Sequence, residues 1–510
     1  MPRPSPYDRC AGFVVPLFSL RSGRDAGIGE ILDLVPLVKW AASFGQRVVQ
    51  LLPITETVPG EASPYNALSA FAIDPLYLSL HAVPHAPSVV PIDGDTGPLP
   101  RSAIRAAKLE ALAEAFDTFQ STGRSAARKR LGTFLDTNRD WLDDYALYQA
   151  LKESFGASAW EEWPEALKRR EPQALAQAAA RLAARIEFFR YVQWQAAEQW
   201  QRVRRAAAAQ AVRLMGDLPF VIGRDSADVW ARQDEFDPTC SVGAPPDDFS
   251  ESGQSWNLPM YNWPRVRATN FAWWRRRAQH AATLYDLFRI DHIIGFFRSY
   301  AIPHDPARPR GFVPAAEPEQ QQQGEAFLSA VIEASGDAVP IAEDLGTVPD
   351  WVRATLHRRG IPGYKVFRWE RANGTFCDPR TYDQLSVATT GTHDTGTLVE
   401  WWRGLAPADR TAALAALGIA ANVESPTLAA AVYSRIIASL YEAGSALVIL
   451  PIQDLFGWPD RINVPDTPSN QNWNWRMPVS VEQLADAPEL RAATAALRQA
   501  AVATGRTRES

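Results

Sequence analysis

Eight short segments rich in apolar and β-branched residues recur along the chain, bounded by turn residues, with helical patterns between most of them. They are residues 12–17 (GFVVPL), 47–52 (RVVQLL), 212–217 (VRLMGD), 287–291 (LFRID), 338–343 (AVPIAE), 364–367 (YKVF), 386–390 (SVATT) and 445–451 (SALVILP). Continuous apolar runs of this length suit strands buried on both faces, as in a parallel sheet. Helical patterns cover residues 30–44, 349–359 and 481–504. The first ends at Gly45 and contains Pro36, which demands a kink or a late start. The second opens on Pro349 and stops at Gly360, the asymmetry helices favour. Strand–helix alternation of this kind predicts an α/β fold, a (β/α)8 barrel whose chemistry sits at the C-terminal strand ends.

Three connections are too long for a bare repeat, and they predict one catalytic barrel over residues 1–510 with three insertions. Residues 66–204 read as mostly helical. Residues 224–270 are rich in Pro, Gly, Asp and Trp with little periodicity, and read as an irregular active-site loop. Residues 302–324, with many Pro and Gly and a QQQ run, read as a mobile loop or lobe. No internal repeat is visible.

Bulk properties exclude several function classes. There are 52 Lys and Arg against 58 Asp and Glu in 510 residues, a net charge of −6, with no basic block. Nucleic acid and anionic membrane are therefore not expected partners. No apolar run reaches membrane-spanning length, and the start MPRPSPYDRC has no signal core. Cys10, Cys240 and Cys377 are odd in number and far apart, which suits reduced thiols in a cytoplasm. Eighteen Trp supply core, and also flat faces that can stack on sugar rings. His81 and His85 are interrupted by Pro84, and Gly27-Ile-Gly29 lacks a third glycine. No metal site, P-loop, GxSxG or cofactor motif is found, so no metal or cofactor is expected.

Carboxylates stand where a barrel would use them. Arg289 and Asp291 are two apart on a strand and face the same way. His292 follows, and Gly295 lets the chain turn. Taken alone, this reads as a structural ion pair rather than a site. Glu343 ends the fifth segment in PIAEDLG, and Asp394 follows the seventh in TTGTHDTG. In a barrel all three would enter one pocket. Three carboxylates and an arginine, without a nucleophilic Ser or Cys motif, fit glycosidic chemistry: one attacks, one stays protonated to donate, one holds sugar hydroxyls. Asp344 reads as a cap or a hydrogen-bond acceptor for the next loop.

At these residues the chain resembles the 4-α-glucanotransferases, the amylomaltase or disproportionating-enzyme family of the α-amylase clan. The resemblance runs through SLRSGRDAGIGE (19–30), LLPITET and SPYNALSAFAIDPL (51–76), GDLPFVIGRDSADVWA (216–231) and GAPPDDFSESGQSWNLPMYNW (243–263). It continues through FRIDHIIGF (288–296), IAEDLG (341–346), GTHDTGT (391–397), QDLFG and NVPDTPSNQNWNWR (453–476). It implies a barrel with inserted subdomains and no separate C-terminal β-domain. It also implies retaining transfer of α-1,4-glucan segments, with Asp291 as nucleophile, Glu343 as acid/base and Asp394 as transition-state stabiliser. Arg289 would orient the nucleophile, and His292 and His393 would bind sugar hydroxyls. Asp217 and Tyr65 would meet the donor sugar, while Asp247, Gln254 and Trp256 would lie on the covering loop and Asn463 on the final loop. The implied partners are maltooligosaccharides and starch- or glycogen-derived α-glucans.

The chain departs from the family pattern at Thr395, Asn257, Asp248, Asp466, Ile293-Ile294 and Gln471-Asn472, which bear on acceptor choice rather than on the carboxylates. An α-1,4-glucan hydrolase using the same three carboxylates is the alternative. A glucan-binding protein without activity would be expected to lack one of them.

Overall fold

All eight segments form strands: β1 (Cys10–Val14), β2 (Val48–Gln50), β3 (Arg213–Leu218), β4 (Leu287–Ile290), β5 (Val339–Ala342), β6 (Gly363–Val366), β7 (Ser386–Thr389) and β8 (Leu447–Pro451). The structure, a computed structural model, describes residues 8–92, 98–122, 125–246, 253–420, 425–465, 467 and 471–507. Every neighbouring pair in the order β6-β7-β8-β1-β2-β3-β4-β5 is parallel. The Ala342 amide donates to the Pro362 carbonyl at 2.9 Å, bringing β5 against the entry to β6 and nearly closing a (β/α)8 barrel. The strands are buried almost throughout, because side chains fill the barrel on one face and helices cover the other.

Register explains the first site pair. Asp217 of β3 lies opposite Arg289 of β4, and Arg289 lies opposite Ile341 of β5. Asp291 and Glu343 are then the first residues past their strands, at the C-terminal end.

Helix boundaries follow their prolines. Ile31–Asp33 forms a 3-10 turn and the α-helix begins only at Leu34, so Pro36 falls in the first turn, where no intrahelical N–H is required. Pro349 is the N-cap of Asp350–Arg358 rather than its first residue. The final helix is Pro488–Ala503, shorter than expected, since a residue before proline disfavours the α conformation and residues 481–486 form turns.

Part of the stretch expected to be irregular is sheet. Phe236–Ala244 and Gln254–Tyr261 form an antiparallel hairpin, and Ser299–Pro303 and Gly311–Val313 extend it to a four-stranded sheet. Register shifts between Asp237 and Ser241 and again between Val242 and Gly243 break the alternation that would reveal it. The QQQ run likewise lies in the helix Glu317–Ala334, not in a loose loop. There Gln320 donates to the Pro314 carbonyl at 2.9 Å and Gln323 to that of Phe296 at 3.2 Å, both glutamines being buried. Between β2 and β3 stand the long helices Arg101–Thr122, Ser125–Ser154 and Ala183–Ala209. Among the described residues no helix is long and apolar enough to cross a membrane.

Candidate active site

Arg289 is the hub, 7% exposed at the end of β4. Its Nη1 donates to both oxygens of Asp217, at 2.8 and 2.7 Å. Its Nη2 reaches Asp291 Oδ1 at 2.9 Å and Glu343 Oε2 at 3.7 Å. Burial opposes its charge, but Asp217, Tyr65, Asp291 and Glu343 more than offset that and hold it above the ordinary arginine range. One guanidinium thus joins carboxylates from three consecutive strands. The Tyr65 hydroxyl donates to Asp217 Oδ2 at 2.7 Å from the loop after β2. That loop is pinned by bridges from Thr55 to Ile73 and from Thr57 to Ala67.

The three carboxylates sit in different electrostatic surroundings. Asp291 Oδ2 accepts from the Phe220 amide at 3.2 Å. Glu343 accepts from the His292 amide at 2.7 Å and the Leu345 amide at 3.3 Å. Burial pushes the Glu343 carboxyl up, the Asp291 and Asp344 charges add to this, and Arg289 with the His292 amide opposes; the result is about 8. Asp394 goes the other way. Burial alone would raise it, but the His393 ring at 3.2 Å, the Asn463 amide at 2.6 Å and the Arg289 charge bring it down to about 2. Burial lowers the His292 ring to about 4, so it is neutral near pH 7 and can both donate and accept.

Aromatic faces wall the pocket. The Tyr65 and His393 rings stack at 5.1 Å and 19°, and Trp473 closes on both, at 5.9 and 5.7 Å. From the hairpin Trp256 meets His292 edge-on at 4.7 Å, and its Nε1 donates to Gln254 Oε1 at 3.3 Å. The structure therefore brings together Asp291, Glu343, Asp394, Arg289, Asp217, Tyr65, His292, His393, Asn463, Trp256 and Gln254. Asp247 lies outside the described residues. A buried acid held protonated beside two anions and one cation, walled by aromatic rings, can protonate a leaving oxygen while an anion faces the developing cationic carbon.

The family model for 4-alpha-glucanotransferase matches residues 15–481. The chain belongs to the 4-alpha-glucanotransferase family. It is 34% identical over 496 residues to the 4-alpha-glucanotransferase of Chlamydia caviae, covering 93% of this chain and 91% of that one. Against the Thermus thermophilus 4-alpha-glucanotransferase it is 34% identical over 466 residues, covering 88% and 90%. Among solved structures, the amylomaltase from Streptococcus agalactiae in complex with acarbose superposes with a TM-score of 0.85 at 28% identity, covering 98% of this chain and all of that one.

For a member of the 4-alpha-glucanotransferase family, several site contacts were not legible beforehand. Trp473 falls in NWNWR, quoted only as a motif; its left-handed backbone (φ +63°) and its ring contacts emerge on folding. Asp454, in QDLFG, accepts from Thr390 Oγ1 and the Leu398 amide, both at 2.6 Å, and so spans the loop that carries His393 and Asp394. Arg368 grips the same loop through the Thr390 and Gly396 carbonyls, both at 2.7 Å. No local signal marks it.

The family departures also acquire addresses. Ile293 and Ile294 are buried core in the 3-10 turn Ile293–Phe296. Thr395 Oγ1 donates to the Thr392 carbonyl at 3.0 Å, closing its own turn. Asn257 is left-handed at φ +54°, which Asn tolerates better than most residues. Asp344 accepts from the Tyr364 amide at 2.7 Å, as its reading as a loop acceptor required. A Cβ on Gly363 would stand 2.6 Å from that carboxylate, so glycine is needed there. Asp248 and Asp466 lie outside the described residues.

Proposed function

We propose that the chain transfers α-1,4-glucan segments with retention, through a covalent glucosyl-enzyme. Asp291 attacks the anomeric carbon of a maltooligosaccharide donor while Glu343 gives its proton to the departing 4-oxygen. The C1–O4 bond breaks and an Asp291–C1 bond forms. Glu343, now ionised, takes the proton from the 4-hydroxyl of an acceptor glucose or glucan, whose oxygen displaces Asp291 and remakes the α-1,4 bond. Asp394 stabilises the oxocarbenium-like transition state and Asp217 meets the donor sugar, while Arg289 orients and charge-stabilises the nucleophile. His292 and His393 bind sugar hydroxyls, and Asn463 of the final loop holds Asp394. Tyr65 stacks on the donor sugar. Gln254 and Trp256, with Asp247 by the family resemblance, belong to the loop that covers the active site.

The observation that carries this reading is the split between the carboxyls. Glu343 is raised to about 8 and Asp394 lowered to about 2, while Asp291 and Glu343 both reach Arg289 Nη2. Two carboxylates within reach of one nitrogen suit the short spacing, about 5–5.5 Å, that retaining chemistry uses. The aromatic walls favour a sugar acceptor over water. Starch- or glycogen-derived glucans are the expected natural donors. Three cysteines that form no disulfide suit work in a cytoplasm.

Incubation with maltotriose and chromatography of the products tests this. Glucose with a ladder of longer maltooligosaccharides is the expected result. Shorter sugars alone would overturn transfer in favour of hydrolysis.

A further inference from the structure

Arg277 is 1% exposed on the helix Ala272–Leu284, behind the turn that follows β3. Its guanidinium carbon stands 3.8 Å from the Trp274 ring centroid and 4.8 Å from that of Trp273. Nε and Nη1 are buried without a hydrogen-bond partner among the described residues. The neighbouring carboxylate, Asp228, accepts from the Trp273 indole at 3.0 Å and the Ala70 amide at 2.9 Å. A cation this deep is costly unless something uses it.

One hydrogen bond shows the use. Nη2 donates to the Pro219 carbonyl at 2.6 Å. That carbonyl shares a peptide plane with the Phe220 N–H, which donates to Asp291 Oδ2 at 3.2 Å. The far side of Phe220 is held too. Its carbonyl accepts from the Tyr261 hydroxyl at 2.6 Å, and that hydroxyl accepts from the Trp274 indole at 3.1 Å. Cation, carbonyl, N–H and carboxylate thus lie in one line of donors and acceptors, each polarising the next.

We propose that Arg277 is a positioning residue for the transfer reaction, which through the Pro219–Phe220 peptide aims and polarises the amide that holds Asp291. This rests on Asp291 being the nucleophile. Burial lowers the Arg277 guanidinium below its ordinary range, while Tyr261, Asp228 and Asp291 oppose that, so its charge is felt at the site. The other groups facing Asp291 are Arg289 on β4, Asp217 on β3, Tyr65, Glu343 after β5 and His292. All of them remain in every variant below.

The test uses the full chain and a maltotriosyl fluoride blocked at its terminal 4-hydroxyl, which donates but cannot accept. The trapped enzyme is mapped by mass spectrometry, and the trapping rate is followed over donor concentration. Arg277→Gln keeps a donor to the Pro219 carbonyl and removes the charge. It is expected to slow trapping about tenfold with KM within about twofold. Arg277→Lys restores the charge and is expected to return the trapping rate to within about twofold of wild type, again with KM unchanged. A wild-type trapping rate in Arg277→Gln, or an equal loss in both variants, overturns the proposal. Should Arg277→Gln not fold, Tyr261→Phe frees the Phe220 carbonyl, one peptide further along, and so loosens the aim of the Phe220 amide; slower trapping at unchanged KM supports the proposal and a wild-type rate overturns it. Label found on a carboxylate other than Asp291 sinks the nucleophile assignment itself. Label on Asp291 with no response to these variants sinks only the role of Arg277.

Discussion

Glu343 and Asp394 are both carboxylic acids at strand ends, yet they are driven in opposite directions. Burial dominates at Glu343, where the nearest cation is shared with Asp217 and Asp291, so its neutral form persists to about pH 8. At Asp394 two local donors and a nearby cation outweigh burial. A raised carboxyl is protonated below its pKa, so in the proposed reaction Glu343 keeps its proton to donate through neutral pH. Turnover of maltotriose is expected to fall as pH rises through about 8. Glu343→Gln is expected to cut that turnover by about 10²–10⁴-fold and to abolish the alkaline limb. A glucosyl fluoride donor, whose leaving group needs little proton, should recover the first step. Rates across pH with the two donors check this, and an alkaline limb that survives in Glu343→Gln would show that another group sets it. None of this was visible from residue identity. That Glu343 ends a strand was legible in PIAEDLG, but its protonation depends on burial and on Arg289, 54 positions upstream.

At the scale of elements, the site depends on loops being tied to the barrel. The loop after β7 carries His393 and Asp394, and Asp454 of the short helix Ile452–Phe456 spans it with two 2.6 Å hydrogen bonds. Asp454 is 1% exposed, so its replacement leaves buried donors unmet. Asp454→Ala is expected to cost about 2–4 kcal/mol of stability and to lower kcat at permissive temperature, since Asp394 loses its fixed place. Thermal unfolding and maltotriose turnover measure the two effects, and a stable, fully active variant would refute the tie. The hairpin bearing Gln254 and Trp256 shows why elements were legible to different degrees. The barrel strands are continuous apolar runs, a signal carried by adjacent residues. The hairpin strands have half-exposed faces, contain Pro238 and Pro259, and change register twice, so alternation fails over any short window.

Across the whole molecule, the end opposite the site is covered by the turn that holds Arg506. Arg506 is 1% exposed and, among the described residues, donates to carbonyls: Tyr441 at 2.6 Å, Ala443 at 2.6 Å, Ser445 and Ala446 at 3.0 Å, and Cys10 at 3.3 Å. These carbonyls lie at and just before the starts of β1 and β8. Arg506→Met removes every one of these bonds and is expected to destabilise the fold by about 3–5 kcal/mol while leaving KM for maltotriose unchanged. A lowered melting temperature with normal KM is the signature; an altered KM would mean that the two ends of the barrel are coupled.

The amino-acid sequence by itself determined the eight buried strands, the barrel they imply and the three carboxylates at its mouth, because apolar runs and the turns that end them are local features. The family motifs added the covering and final loops by resemblance. Only the tertiary structure decided which carboxyl is held protonated, that Trp473 joins Tyr65 and His393, and that a buried Arg277 stands behind Asp291. Each of these depends on desolvation and on groups brought close from distant parts of the chain, and neither quantity is written in the spacing of neighbouring residues.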